Sequence, residues 1–130
     1  MTNNVGTTLV DQSTKDFASE AATVGLMEVE LGKLAEQKAT GQQVKDIGKM
    51  MVGDHMKLND DLKTMASKKN MDLPTTITDD QRKDMDKLSK KSGDDFDKAY
   101  VNMMVDNHKK DIDAFKEAEN NVDDNDFKNL

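Results

Sequence analysis

The 130-residue sequence contains no cysteine, which excludes disulfides, thiol nucleophiles and cysteine-ligated metals. That absence says nothing of compartment, because disulfide-free chains occur on both sides of a membrane. There is one proline, Pro74, and no β-branched run bounded by turn residues, so nothing competes with helix and all-β or α/β folds are disfavoured. Aromatic residues make up only 4 % of the chain, leaving Leu, Met, Val, Ala and Phe to fill a core. No apolar stretch approaches the roughly 20 residues that cross a bilayer, and Met1-Thr2-Asn3-Asn4 lacks the basic and apolar regions of a signal peptide. Nor is there a surplus of positive charge. The net charge of −7 is spread through mixed Lys/Asp/Glu segments and repels phosphate backbones and anionic lipid, so nucleic-acid and membrane-surface roles are not expected, nor, without a spanning stretch, is membrane insertion.

What remains is 35 % hydrophobic and 35 % charged, the mixture of amphipathic helices with one apolar stripe and a solvated face. The length is that of a single domain. Residues 1–12 are polar and aperiodic and read as a tail, with the domain spanning 13–130. Ser13 and Asp16 resemble a capping box opening a first helix that runs to about Thr40, with Gly41 as its stop. Its stripe is Phe17, Ala21, Val24, Glu28, Leu31 and Ala35. A second helix over about 42–69 carries Val44, Ile47, Met51, His55, Leu58 and Leu62 at the same spacing. Asn70–Thr76 reads as a loop, and Thr78 with Gln81 caps a shorter helix reaching about Ser92, closed by Gly93. A fourth segment from Asp94 to about Glu119 has Val101, Met104, His108, Ile112 and Phe115 on one face, followed by a polar turn and then Phe127 and Leu130. The glycines at 25, 32 and 48 fall inside helices, where their role is close backbone approach. Three helices of similar length imply a bundle.

Met50-Met51-Val52-Gly53-Asp54-His55-Met56-Lys57 and Met103-Met104-Val105-Asp106-Asn107-His108-Lys109-Lys110 agree at five of eight positions, including a Met-Met pair and the chain's two histidines. A repeated helical hairpin places equivalent positions face to face about a pseudo-two-fold axis, so both histidines are expected to point inward and to be largely buried.

These segments, with Gly25-Leu26-Met27-Glu28-Val29-Glu30-Leu31-Gly32-Lys33-Leu34-Ala35 and Phe96-Asp97-Lys98-Ala99-Tyr100, carry a resemblance over about Phe17 to Ala118. The chain resembles the bacterial ferritin-like family called domain of unknown function 4142, whose members are often labelled outer membrane or secreted proteins. The resemblance implies an all-α, ferritin-like four-helix bundle and a periplasmic or secreted location, with no established reaction. It also implies a last helix after Phe127, so the bundle reads as truncated. Apolar residues of the first and fourth helices are then expected to be uncovered, and a homo-oligomer is expected to cover them. The second repeat copy departs from the first in having Asn107 where Asp54 stands.

Ferritin-like di-iron sites need Glu-x-x-His on two helices. Here Val52 precedes His55 and Val105 precedes His108 by three residues, which leaves oxygen activation unsupported. Near the axis remain Glu28, His55, His108, Met51 and Met104, each Met four residues before its His. Met and His suit Cu(I), and His with Glu suits Zn(II), so a Cu or Zn ion is one reading of this set. In the other, the methionines fill the core and neutral histidines bond Glu28, Asp54 or Tyr100. No Gly-rich phosphate loop or Ser-His-Asp set is present, and a lone carboxylate such as Glu28 is a poor catalytic apparatus, so the expectation is a non-enzymatic envelope or stress-associated bundle.

Overall fold

The computed structural model describes residues 12–121. Most of the expected tail, and Phe127 with Leu130, lie outside them. Within them the chain forms four helices: α1 (Gln12–Lys38), α2 (Gln42–Lys68), α3 (Asp79–Ser89) and α4 (Gly93–Asn121). The architecture is an all-α four-helix bundle. At 1.5 Å per residue the three long helices each span roughly 40 Å. The helix α1 is central, pairing most extensively with α2 and then with α4, while α3 closes one end against α4 and α1.

The central position of α1 follows from two inward faces. One, facing α2, is built of small residues, with Ala18, Ala22, Gly25, Val29 and Gly32 all buried. A Cβ on Gly32 would lie 2.7 Å from the Gly48 carbonyl oxygen, and one on Gly48 would lie 2.7 Å from that of Gly32, so the two backbones touch where neither helix has a side chain. At Gly25 the space a Cβ would need is taken by the Asn59 side chain. The other face, with Met27, Leu31 and Ala35, joins Met51, Leu88, Phe96, Tyr100 and Met104 in the main core. The Phe96 and Tyr100 rings stack at 6.2 Å, and the Lys38 ammonium lies 5.8 Å over Phe96 while donating to the Ser89 carbonyl at the end of α3.

Helix ends explain the connections. Asn70 takes φ 54°; its amide donates to the Ser67 carbonyl and the Met71 amide donates to that of Ala66, a Schellman arrangement ending α2. Thr78 Oγ1 accepts from the Gln81 amide at 3.1 Å while Gln81 Oε1 accepts from the Thr78 amide at 2.9 Å, the capping box expected for α3.

Three expectations are corrected. Ser13 is already inside α1, and Asp16 accepts from the Gln12 side chain at 2.8 Å instead of closing a capping box. Gly41 is not a left-handed stop for α1 but the extended N-cap of α2. Its amide and both donors of Thr40 are held by the Asp97 carboxylate of α4 at 2.8–3.0 Å, which ties the α1–α2 corner to the start of α4. Gly93, at φ 58°, begins α4 after α3 has ended at Ser89.

Candidate functional site: a polar cluster between α1, α2 and α4

Because α4 starts at the α1–α2 corner and runs back along α1, it lies in the same sense as α2. Equivalent repeat residues therefore meet across α1. Met51 and Met104 are 4 % and 5 % exposed and sit in one core cluster with Leu31, Phe96 and Tyr100, which makes them packing residues. His55 and His108 line one cavity of about 280 Å³, walled by Phe17, Ala21 and Val24 of α1, Leu58 of α2 and Ile112 of α4. Neither histidine is as buried as the stripe implied. His55 is half-buried and His108 is exposed.

That difference comes from the rotation of α4. Among its described side chains the buried ones are Phe96, Tyr100 and Met104, and the next turn presents the half-buried Asn107 and Asp111 to α1, leaving Val105, His108 and Ile112 further out. Asn107 thus reaches Glu28, its Nδ2 donating to Glu28 Oε1 at 3.0 Å. Glu28 has no solvent exposure, and its Oε2 is enclosed without a hydrogen-bond partner. Burial pushes its carboxyl up to about 7, the Asn107 hydrogen bond opposes that rise, the Asp111 charge adds to it and His108 opposes it.

Tyr100 is also fully buried with an unpartnered hydroxyl; burial, then the charges of Glu28 and Glu36, push its ionisation up, so it stays neutral. His55 Nδ1 is enclosed without a partner, and burial first, then His108, hold the ring below the ordinary histidine value, against Asp54. His108 Nδ1 lies 2.7 Å from the Met104 carbonyl. A carbonyl only accepts, so Nδ1 carries a hydrogen and donates it to Met104.

The expected residues are therefore brought together as two histidines sharing a cavity and a buried Glu28 beside them, with the two methionines behind in the core. Among the described residues no three His, Asp or Glu side chains converge on a position able to hold a metal ion. Four contributors escaped the sequence reading: Asn107 as the partner of Glu28, Glu20 and Asp111 at the cavity wall, and Asp97 at the corner. The replacement of Asp54 by Asn107 between the repeat copies was the available signal for the first. Nothing local distinguished Asp97 or Asp111 from the many other acidic residues.

Among the described residues no helix is long and apolar enough to cross a membrane. No curated protein and no solved structure matches the chain. Residues 2–130 match the family described as Domain of unknown function (DUF4142), and with essentially its whole length covered, the chain belongs to that family.

Proposed function

We propose that the chain is a non-enzymatic, stress-associated helical bundle of the bacterial envelope, periplasmic or secreted, whose polar cluster fixes how α4 docks on α1. The observation carrying this reading is the Glu28–Asn107 pair. A general acid or base must reach its substrate within hydrogen-bonding distance, whereas the Glu28 carboxyl has no solvent exposure and is engaged by an amide of the neighbouring helix. A buried polar pair of this kind selects one docking of two helices among several of similar hydrophobic quality. The envelope location rests on the family resemblance alone, members of that family often being labelled outer membrane or secreted proteins. Self-association belongs to the same reading and is supported by Met50, Met56, Val105 and Ile112, each about half exposed; they lie on α2 and α4 and not, as expected, on the first and fourth helices, because α1 is central to the bundle.

The test is complementation of a deletion strain under envelope stress by the Glu28→Gln chain, with cell fractionation of the wild type. Full complementation and an envelope fraction are expected. A folded Glu28→Gln chain that fails to complement, or a cytosolic wild type, overturns the proposal. Light scattering at tens of micromolar giving a monomer mass overturns the self-association.

A second reading, Cu(I) or Zn(II) bound through His55, His108 and Glu28 with Met51 and Met104 assisting Cu(I), is favoured by one observation. Metal-binding histidines commonly donate their other ring nitrogen to a backbone carbonyl, as His108 does to Met104. Equilibrium dialysis is expected to show binding that His55→Ala/His108→Ala abolishes; binding undiminished in that double variant refutes the assignment.

A further inference from the structure

The cavity between α1, α2 and α4 has walls unlike those of a water pocket. Phe17, Ala21, Val24, Leu58 and Ile112 supply its apolar sides, along which a water finds none of the two to four partners it needs. Its volume of about 280 Å³ is close to the lower end of small-ligand sites, roughly 300 Å³ upwards. Ile112 is 53 % exposed at one wall, an unfavourable placement for a large apolar side chain unless something covers it. The polar part of the wall is one-sided in charge: Glu20 from α1 and Asp111 from α4 face the space together with His55 and His108. Burial, and the Glu20 charge behind it, push the Asp111 carboxyl above its ordinary value, with His108 opposing, so negative charge there is unfavourable until a cation joins it. His55 adds an enclosed Nδ1 that has no partner.

We propose that this cavity binds a small amphiphilic cation, with its apolar chain against Phe17, Val24, Leu58 and Ile112 and its ammonium group between Glu20 and Asp111. The apolar walls call for a hydrocarbon chain and the two carboxylates choose the sign of its head. An anionic amphiphile of the same length meets two like charges. A neutral one gains the apolar contact and nothing from the carboxylates.

The test uses three probes of equal chain length, hexylammonium, hexanol and hexanoate. They are titrated into the full chain at pH 7.5 with a chelator present, following the methyl resonances of Val24, Leu58 and Ile112. Hexylammonium is expected to bind about fivefold tighter than hexanol, the upper value for a partly exposed ion pair, and hexanoate weakest. The Glu20→Gln/Asp111→Asn variant is expected to bring hexylammonium to the level of hexanol while leaving hexanol unchanged. Ala21→Met, which fills the space, is expected to weaken both. Equal affinities of the three probes, no saturable shift at these methyls, or a charge preference that survives Glu20→Gln/Asp111→Asn overturns the proposal. Because those two substitutions sit on the cavity wall and not in the core, their outcome is readable even if Ala21→Met fails to fold.

Discussion

Replacing Glu28 by glutamine tests the polar cluster without changing its shape. The carboxyl is raised from 4.5 to about 7, chiefly by burial. At ~1.4 kcal/mol per unit, that rise corresponds to a penalty of about 3 kcal/mol on the ionised folded state. Below pH 4.5 the group is protonated whether the chain is folded or not, and the penalty is absent. Between 4.5 and about 7 the unfolded chain releases the proton while the folded chain keeps it, so stability falls as pH rises. Above about 7 the loss is complete. Glutamine is neutral throughout and its Oε1 can still accept from Asn107, while its amide hydrogens add a constant desolvation cost of about 1 kcal/mol. Urea unfolding at intervals from pH 4.5 to 8 is therefore expected to show Glu28→Gln gaining on the wild type by about 3 kcal/mol across the range. The rise of Asp111 is common to both chains and cancels to first order. Two stability profiles that stay parallel from pH 4.5 to 8 would refute the reasoning, since they would mean that Glu28 is ionised in the fold at no cost.

Gly32→Ala or Gly48→Ala forces a methyl to within 2.7 Å of a carbonyl oxygen on the facing backbone, and thermal melts are expected to show a loss of roughly 2–3 kcal/mol or more; Gly53→Ala, with open space around it, is expected to gain about 0.5–1 kcal/mol from helix propensity. Asp97→Ala removes the acceptor of both corner amides, so amide exchange at Thr40 and Gly41 is expected to quicken selectively; unchanged exchange would show the cap to be dispensable. The Asp97 carboxyl is held below its ordinary value, first by the Gly41 amide, so its contribution is present above pH 3.8 and lost as pH falls through the lower folded value. Asn107→Asp sets a second carboxylate against Glu28; at pH 8 it is expected to cost about 2 kcal/mol or more in the wild-type background and much less in Glu28→Gln, whose amide can donate to it. Strict additivity in that double-mutant cycle would deny the contact.

Helix existence was legible because it depends on local rules. Thr78 and Gln81 satisfy each other within one turn, so the start of α3 is written in four residues. The corner at Gly41 is written in no such span, since its cap comes from Asp97, 56 residues later. A glycine after a helical stretch looks the same in sequence whether its φ is +60° or, as here, −81°. The second buried face of α1 was legible only through Gly25 and Gly32 as points of close backbone approach, and its alanines were hidden for a different reason. Ala18, Ala22, Gly25 and Gly32 carry little hydrophobicity, and their value lies in how closely they let α2 approach, a property of the pair of helices and not of either one. The stripe with Phe17, Val24 and Leu31 stood out because its side chains are large, yet half of it lines an open cavity.

The repeat shows how far sequence symmetry carries into structure. Met51 and Met104 occupy equivalent core positions, and His55 and His108 reach one cavity from equivalent turns of α2 and α4. The symmetry breaks one residue before each histidine. Asp54 is exposed, where a charge is at little cost, while Asn107 is turned toward α1 and meets the buried Glu28. A carboxylate at 107 would oppose one already held out of water, whereas an amide supplies the donor that Glu28 needs. With Tyr100 and Met104 both buried, large apolar side chains alone would let α4 turn either His108 or Asn107 toward α1, neighbouring positions on the helix roughly 100° apart. Only the second docking brings a partner to Glu28. The difference between Asp54 and Asn107, one of three between the repeat copies, is the one that meets Glu28 and so favours the rotation of α4 that leaves His108 at the surface while His55 is half-buried.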